Sequence, residues 1–397
     1  MLPGWLVGVH PVTRKRTAKR IPEERVLGTT FSTSFQSVEP KGHHTPVVLA
    51  FRYSEQSISG SRLVGVGRLP RVGVLATGGT IDAIGYNRLD VIDYTETGNL
   101  VGLKGLLSRI PEVDSIAEIV ELPFPSVWSS TVTPAIWADL AKLIQSEMDR
   151  LELNGVVVTH GTATLEETAF FLHLTVNTHC PIVVTGAMRP TSAIGTDADL
   201  NLLTSIRVAA TSEFQDLGVV IVLNEKIHSA RYVTKVHTTN LDAFESIGGL
   251  VGEAYADGTI SIARRVTHPH TSSSMFRSCL SRPQPRVDIV LSYPGSDGTF
   301  IDAAVAAGAR GIVAAGFGSG QCTPGENDAL VRAEAKGITV VQATRVLGGA
   351  VPLAAVMRRR HFISSVDLQP PKARILLMLA LALTDDAREI QQMFQEY

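Results

Sequence analysis

The chain has 397 residues, a hydrophobic content of 44%, a charged content of 19% and a formal net charge of −2. A chain of this length is too long to fold around a single ordinary hydrophobic core, so the sequence predicts a globular protein with two domains. The balanced charge argues against a nucleic-acid or membrane-surface binder, and no apolar run is long enough to predict a membrane-spanning helix. The three cysteines lack metal-ligand spacing and form a poor disulfide framework, which favours a reducing, cytoplasmic compartment.

Residues 1–68 differ from the rest of the chain, because they mix Pro, Gly, Ser and basic residues without sustained periodicity. They predict a poorly ordered leader, with one short strand at 46–51. The first twenty residues do not resemble a secretory signal, since a short apolar run precedes the charges and no small-residue cleavage site follows.

Strands and helices alternate from Arg71 onwards. In the first part we predict strands at 71–76, 118–122, 155–159, 181–185 and 218–223, and helices at 99–108, 134–149, 165–176 and 200–210. In the second part we predict strands at 287–291, 311–314 and 338–342, and helices at 302–307, 328–336, 372–382 and 386–397.

The segment between the two parts is rich in Ser, Pro and Arg and indicates a linker at 268–286. The predicted fold class is therefore α/β, with a larger N-terminal domain (69–267) whose sheet is mainly parallel. A smaller C-terminal α/β domain (287–397) is expected to contain a second parallel sheet.

Two stretches place a hydroxyl group directly after a buried strand. Residues 72–81 run from an apolar strand through a double-glycine turn to Thr80, at the position where open α/β sheets bind ligands. Residues 156–169 repeat this pattern with Thr162 in the turn. Thr164 and Glu167 fit a capping box there, and the neighbouring His160 is interpreted as a hydrogen-bonded turn histidine.

A third stretch contains Lys235 among threonines rather than among acidic residues. A solvated surface lysine is one interpretation, and a partly buried lysine with a lowered pKa that acts as a base is the other. Together with Thr80 and Thr162, Lys235 suggests a hydroxyl nucleophile that is activated without histidine or metal, and hence acyl transfer on an amide or ester. The double-glycine turn lacks a phosphate-loop lysine, so a nucleotide cofactor is disfavoured, and no cofactor or metal is expected.

Several motifs, in order, resemble those of the bacterial-type L-asparaginase family. They are ATGGTI (76–81), THGTATLEETA (159–169), GAMRPTSAIGTDADLNL (186–202), ARYVTKVHTT (230–239), GIVAAGFGSG (311–320), TRV (344–346) and PKARILLMLAL (371–381). The resemblance implies a two-domain α/β hydrolase that converts asparagine, or glutamine, to the acid and ammonia. It also implies a homotetramer built as a dimer of dimers, with no nucleic-acid or membrane partner.

The resemblance also assigns roles to individual residues. Thr80 corresponds to the nucleophile, Tyr94 to the loop tyrosine that activates it (with Tyr86 as the alternative), and Thr162 and Lys235 to the second catalytic pair. The substrate-binding positions implied in this way are Gly79, Ser129, Ser130, Gly161 and Ala163.

Ala163 departs from the family pattern, which has Asp or Asn directly after the second threonine. An alanine cannot accept the hydrogen bond of a substrate ammonium group, and the loss of such a charge-assisted bond costs about 1.5–3 kcal/mol. That loss corresponds to a rate roughly ten- to a hundredfold lower. The small domain also lacks the usual Asn and Glu at 293–297 and 349–357. Asp197 is expected to shape a loop rather than to replace the missing acid.

Two alternatives remain open at this point. A catalytically silent paralogue that binds a small amino acid is suggested by Ala163, whereas Thr80, Thr162 and Lys235 speak against it. The glutaminase subunit of a tRNA-dependent amidotransferase is the other. It also carries an extra N-terminal segment, but the leader of this chain has little strand pattern and no basic tRNA-binding domain is recognisable.

Overall fold

Five strands, four of them apolar and largely buried, form the parallel part of a large sheet in the computed structural model, which describes residues 68–397. The predicted strand at 46–51, and all but the last residue of the predicted leader, lie outside these residues. The five parallel strands are β1 (Arg71–Ala76), β2 (Glu118–Glu121), β3 (Gly155–Thr159), β4 (Ile182–Thr185) and β5 (Val219–Leu223).

Five short antiparallel strands that the sequence did not predict follow β5, and three of them extend this sheet. They are β6 (Lys226–Ser229), β7 (Val233–Lys235), β8 (Phe244–Ser246), β9 (Gly252–Ala254) and β10 (Ile260–Ile262). The strand order is β10-β9-β6-β5-β4-β3-β1-β2, while β7 and β8 pair as a separate antiparallel ribbon. The sheet is therefore parallel through the strands that were predicted and antiparallel at one end.

Helices cover both faces of the large sheet, as a parallel sheet requires. They are α1 (Gly102–Ser108), α2 (Pro134–Leu151), α3 (Leu165–Thr175) and α4 (Ala198–Ala210). Alternate residues of one strand point into different cores: Val158 packs in the core that contains α2 and α3, and Val157 in the core that contains α4. This alternation follows from the two-residue period of a strand and explains why β3 is buried throughout.

The C-terminal part forms a second, smaller sheet that is entirely parallel, in the order β11-β12-β13-β14. Its strands are β11 (Val287–Leu291), β12 (Gly311–Gly316), β13 (Thr339–Thr344) and β14 (Ile363–Ser364), and its helices are α5 (Thr299–Ala306), α6 (Pro324–Glu334), α7 (Ala355–Arg359), α8 (Pro370–Leu381) and α9 (Ala387–Glu396). The two-domain α/β fold class predicted from the sequence is confirmed.

The two domains share one apolar core, because α8 packs against both the small sheet and α3. Two short 3-10 turns, Thr271–Ser273 and Met275–Ser281, occupy the interval between the domains, and Phe276 and Cys279 within it are fully buried. That interval therefore contributes to the core, which its polar composition did not indicate. Across residues 68–397, no helix is both long and apolar enough to cross a membrane.

Candidate active site

The turn after β1 holds Thr80 in a conformation that requires glycine. Gly78 has φ 91° and Gly79 has φ 95° with ψ −173°, a region in which other residues are strongly disfavoured. Thr77 fixes the end of the strand, since its backbone N–H and its hydroxyl both donate to the carbonyl oxygen of Thr159, at 3.1 and 2.8 Å. Thr80 then begins a 3-10 turn and is buried apart from 8% of its surface.

The turn after β3 presses directly against the turn after β1. A Cβ atom built on Gly79 would lie 2.4 Å from Cα of Gly161. A Cβ atom on Gly161 would lie 2.6 Å from Oγ of Ser129. Backbones approach this closely only where neither residue has a side chain. The two glycines therefore bring Thr80, Thr162 and Ser129 around one point at the carboxyl ends of β1 and β3.

A chain of buried hydrogen bonds stabilises the turn after β3. Trp137 Nε1 donates to Thr168 Oγ1 at 2.9 Å. The Thr168 hydroxyl donates to His160 Nε2 at 3.0 Å, because the neutral His160 ring carries its one proton on Nδ1, which faces a carbonyl oxygen. This ring proton is donated to the carbonyl oxygen of Gly161 at 2.8 Å. Burial lowers the pKa of His160 to about 4, although the bond to Gly161 opposes this. His160 is thus a neutral structural residue, as the sequence suggested.

Ser129 and Ser130 begin a 3-10 turn, Ser129–Thr131, in the loop between β2 and α2. The Thr164 hydroxyl donates to the Ser129 carbonyl oxygen at 2.8 Å. The capping box predicted for Thr164 and Glu167 is wrong, because no side-chain cap forms at the start of α3. The Thr164 hydroxyl instead ties the Ser129 loop to the turn that contains Thr162.

Tyr94 lies on a 3-10 turn, Asp93–Glu96, in the loop after β1. Its hydroxyl oxygen is 2.8 Å from Oγ1 of Thr80, and either group can donate this hydrogen bond. Tyr86, the alternative considered for this position, is 65% exposed and is not part of the pocket wall. The loop residue that faces Thr80 is therefore Tyr94.

Lys235 ends β7 and reaches the pocket from a third direction. Its Nζ donates to Thr162 Oγ1 at 2.8 Å, and its backbone N–H donates to Glu166 Oε2 at 3.1 Å. Burial lowers the pKa of the Lys235 ammonium below its ordinary value, and the negative charge of Glu166 works in the opposite direction. The Lys235 side chain is therefore half-buried and hydrogen-bonded to the Thr162 hydroxyl, so it is not a solvated surface lysine.

A pocket of about 520 Å³ is lined by every residue that the sequence analysis selected as catalytic or substrate-binding. Its wall consists of Gly79, Thr80, Tyr94, Thr95, Trp128, Ser129, Ser130, Gly161, Thr162, Ala163 and Lys235. Sequence reasoning missed Thr95 and Trp128, although each directly adjoins a residue that it selected. Larger or comparable cavities elsewhere do not contain these hydroxyl groups.

Asp197 lies outside the pocket wall and organises the adjoining loop. Its carboxylate accepts the backbone N–H groups of Met188 and Arg189 and the side-chain amide of Asn201. It therefore shapes the loop after β4, as expected. The part of the chain that the structure describes holds no group of three or more His, Cys, Asp or Glu side chains arranged to bind a metal ion.

Fold and site together define a two-domain α/β protein with a hydroxyl-lined pocket at the carboxyl ends of its parallel strands. Residues 71–272 match the family model described as Asparaginase, N-terminal, and residues 286–394 match the Glutaminase/Asparaginase C-terminal domain. The chain belongs to the asparaginase family.

Individual relatives agree with this assignment. The chain is 39% identical to L-asparaginase 2 of Bacillus subtilis, over 83% of this chain and 87% of that protein. It is 33% identical to the glutaminase-asparaginase of Pseudomonas fluorescens, over 83% and 91%. Among solved structures it is similar to a probable cytoplasmic L-asparaginase from Campylobacter jejuni, with a TM-score of 0.76, 36% identity and coverage of 83% of this chain and 100% of that one.

Proposed function

We propose that this amidohydrolase of the L-asparaginase type cleaves a side-chain carboxamide through an ester formed on Thr80. One observation carries the proposal: within a single pocket, Tyr94 is hydrogen-bonded to the Thr80 hydroxyl and Lys235 to the Thr162 hydroxyl. Each hydroxyl thus has a partner that can accept or hold a proton, which a nucleophilic alcohol needs near neutral pH.

In the first half-reaction, the Thr80 oxygen attacks the carboxamide carbon, and the Tyr94 hydroxyl accepts the Thr80 proton as it gives up its own proton towards the leaving nitrogen. The C–N bond then breaks, the proton passes to the leaving nitrogen, and ammonia departs. An ester between Thr80 and the acyl group remains. In the second half-reaction, water held near Thr162 and Lys235 attacks this ester, a proton returns to the Thr80 oxygen, and the carboxylic acid leaves.

The negative oxygen that develops in both steps needs hydrogen-bond donors. Among residues 68–397, the backbone N–H groups of Thr80 and Thr162 have no backbone or side-chain acceptor. Both groups lie in the turns that the Gly79–Gly161 contact holds together. They are the donors we assign to the oxyanion, and such a pre-formed pair commonly contributes several kcal/mol to catalysis.

Gly79, Ser129, Ser130, Gly161 and Ala163 are the residues we assign to substrate binding, because all lie in the pocket wall. The Ser129 and Ser130 hydroxyls can donate to a carboxylate of the substrate. The Ala163 side chain offers no acceptor to a substrate ammonium group, so we expect asparagine turnover roughly ten- to a hundredfold below that of a site with an acid there.

We also propose a cytoplasmic homotetramer, a dimer of dimers. Self-association is supported by β11, which forms one edge of the small sheet and exposes Ile289 and Leu291 beside Phe300. Exposed apolar residues at a sheet edge favour pairing with another chain. The name of the Campylobacter jejuni relative supports the compartment. Light scattering after gel filtration should give the molar mass of four chains, and the mass of a monomer at micromolar concentration would contradict this proposal.

Ammonia release from L-asparagine and L-glutamine by the purified chain tests the activity. We expect release from at least one amide, abolished in Thr80→Val. A silent paralogue is the second candidate, favoured by Ala163 alone. It predicts that aspartate binds in calorimetry while no amide is turned over. Ammonia release that needs a partner subunit and charged tRNA would instead indicate the amidotransferase reading.

A further inference from the structure

The charges around the pocket are unbalanced. Its wall contains one basic side chain, Lys235, and the remaining members are glycines, hydroxyl-bearing residues, Trp128 and Ala163. No carboxylate belongs to the wall among the residues that the structure describes. The pocket is thus equipped to hold a negatively charged group and has nothing of opposite charge for a positive one.

Nearby acidic residues do not correct this imbalance. Glu166 lies behind Lys235, where its Oε2 accepts the Lys235 backbone N–H at 3.1 Å. Asp93 and Glu96 flank Tyr94 on its 3-10 turn, but both are solvent-exposed and neither is part of the wall. Asp82, two residues after Thr80, is buried outside the wall, and its Oδ1 accepts the backbone N–H of Gly102 at 2.7 Å. None of these four carboxylates is part of the pocket wall.

A carboxylate and an ammonium group of a substrate interact very differently with this pocket wall. A carboxylate can accept hydrogen bonds from the Ser129 and Ser130 hydroxyls and is attracted by the Lys235 ammonium. An ammonium group that enters the half-buried pocket loses water and gains no anionic partner, and it is repelled by Lys235. Free asparagine carries both groups, so the benefit of the first is offset by the cost of the second.

We infer that the preferred substrates are ω-amides of carboxylic acids that carry no free α-ammonium group, such as succinamate or an N-acylated asparagine. This inference rests on the proposed amidohydrolase activity and specifies its substrate class. The bonds made and broken are unchanged: the carboxamide C–N bond is hydrolysed, and ammonia and a dicarboxylate are released.

The space beside Ala163 suits this substrate class. Ala163 directly follows Thr162, and its methyl group is exposed in the pocket. The volume of about 520 Å³ lies within the range of small-molecule sites and exceeds what the amide and carboxylate ends alone require. An acyl group on the α-nitrogen can therefore lie against Ala163, where an acidic side chain would otherwise stand.

Steady-state ammonia release from L-asparagine, succinamic acid and N-acetyl-L-asparagine tests the inference with the full chain. We expect kcat/KM for succinamate or N-acetyl-L-asparagine to exceed that for asparagine by about tenfold or more. A higher kcat/KM for asparagine than for both analogues would overturn the inference and would indicate that a second copy supplies a carboxylate. Release from none of the three would instead contradict the proposed amidohydrolase function.

A matched pair of variants separates charge from size. Ala163→Asp adds a carboxylate to the wall, and Ala163→Asn adds an amide of the same shape. We expect Ala163→Asp to raise the asparagine-to-succinamate ratio of kcat/KM by about ten- to a hundredfold, mainly through KM for asparagine, with a much smaller change in Ala163→Asn. Equal shifts in the two variants, or no shift in a folded Ala163→Asp protein, would contradict the role of charge.

Discussion

Replacing Gly79 with alanine should damage both stability and catalysis, because the site depends on the contact between two glycine turns. The added Cβ atom would lie 2.4 Å from Cα and 2.5 Å from N of Gly161, and 3.1 Å from the carbonyl carbon of His160. Carbon atoms in contact normally lie about 3.5–4.0 Å apart. All three neighbours are backbone atoms, so the two turns must separate by about 1 Å.

Two costs add in this variant. Holding alanine at φ 95° and ψ −173° costs about 1–3 kcal/mol, and the overpacked contact costs about 1–3 kcal/mol more. We therefore expect the free energy of unfolding to fall by about 2–6 kcal/mol. We also expect kcat to fall by about a hundredfold. The separation moves Thr80 away from Thr162 by about 1 Å, and a misplacement of that size can cost about a hundredfold in rate.

Gly308→Ala is the matched control, because Gly308 has φ 85° and nothing within 4 Å of its added Cβ atom. This control retains the conformational cost, about 1–2 kcal/mol, without the clash and far along the chain from the pocket. Urea unfolding and steady-state ammonia release measure both variants. A Gly79→Ala protein with the same loss of stability as Gly308→Ala and with unchanged kcat would refute the reasoning.

Three further predictions concern the Tyr94 hydroxyl, the pKa of Lys235 and two buried histidines. Tyr94→Phe loses the 2.8 Å bond to Thr80, so kcat measured by ammonia release should fall about five- to a hundredfold, with a smaller change in KM. Because burial lowers the pKa of Lys235 below 10.5, activity should rise with pH through a pKa below that value, and this limb should vanish in Lys235→Met. Burial also lowers the pKa of His160 and His228 to about 4 from 6.5, so both take up protons on unfolding in acid. Urea titrations should show the free energy of unfolding decreasing as pH falls from 6.5 to 4, by about 3 kcal/mol per histidine, and a constant value would contradict their neutral burial.

The longer elements could be predicted from the sequence because their patterns are local. The strands Arg71–Ala76 and Gly155–Thr159 have the predicted bounds, since apolar runs between polar turns identify buried parallel strands. The strand Val233–Lys235, which carries Lys235, was missed. Three residues are too few to show a period of two, and this strand forms through pairing with Phe244–Ser246.

The relations within the site depend on distant parts of the chain, which local patterns do not specify. The sequence placed Thr80 and Thr162 after strands, but only the neighbouring positions of β1 and β3 in the sheet bring Gly79 against Gly161. The capping box at Thr164 failed for the same reason, because its hydroxyl donates instead to the carbonyl oxygen of Ser129, 35 residues earlier. The residues that motif similarity selected all lie in the wall of one pocket, whereas the hydrogen bonds between them could not be predicted without the fold.

An ester on Thr80 is the most direct evidence for the proposed mechanism. The protein should be mixed with its best amide substrate, quenched in acid within the first turnovers, digested and mapped by mass spectrometry, with Thr80→Val as the control. We predict an acyl group on the peptide that contains Thr80, removable with hydroxylamine and absent from Thr80→Val. An acyl group on Thr162 instead, or full ammonia release by Thr80→Val, would contradict the assignment of Thr80 as the nucleophile.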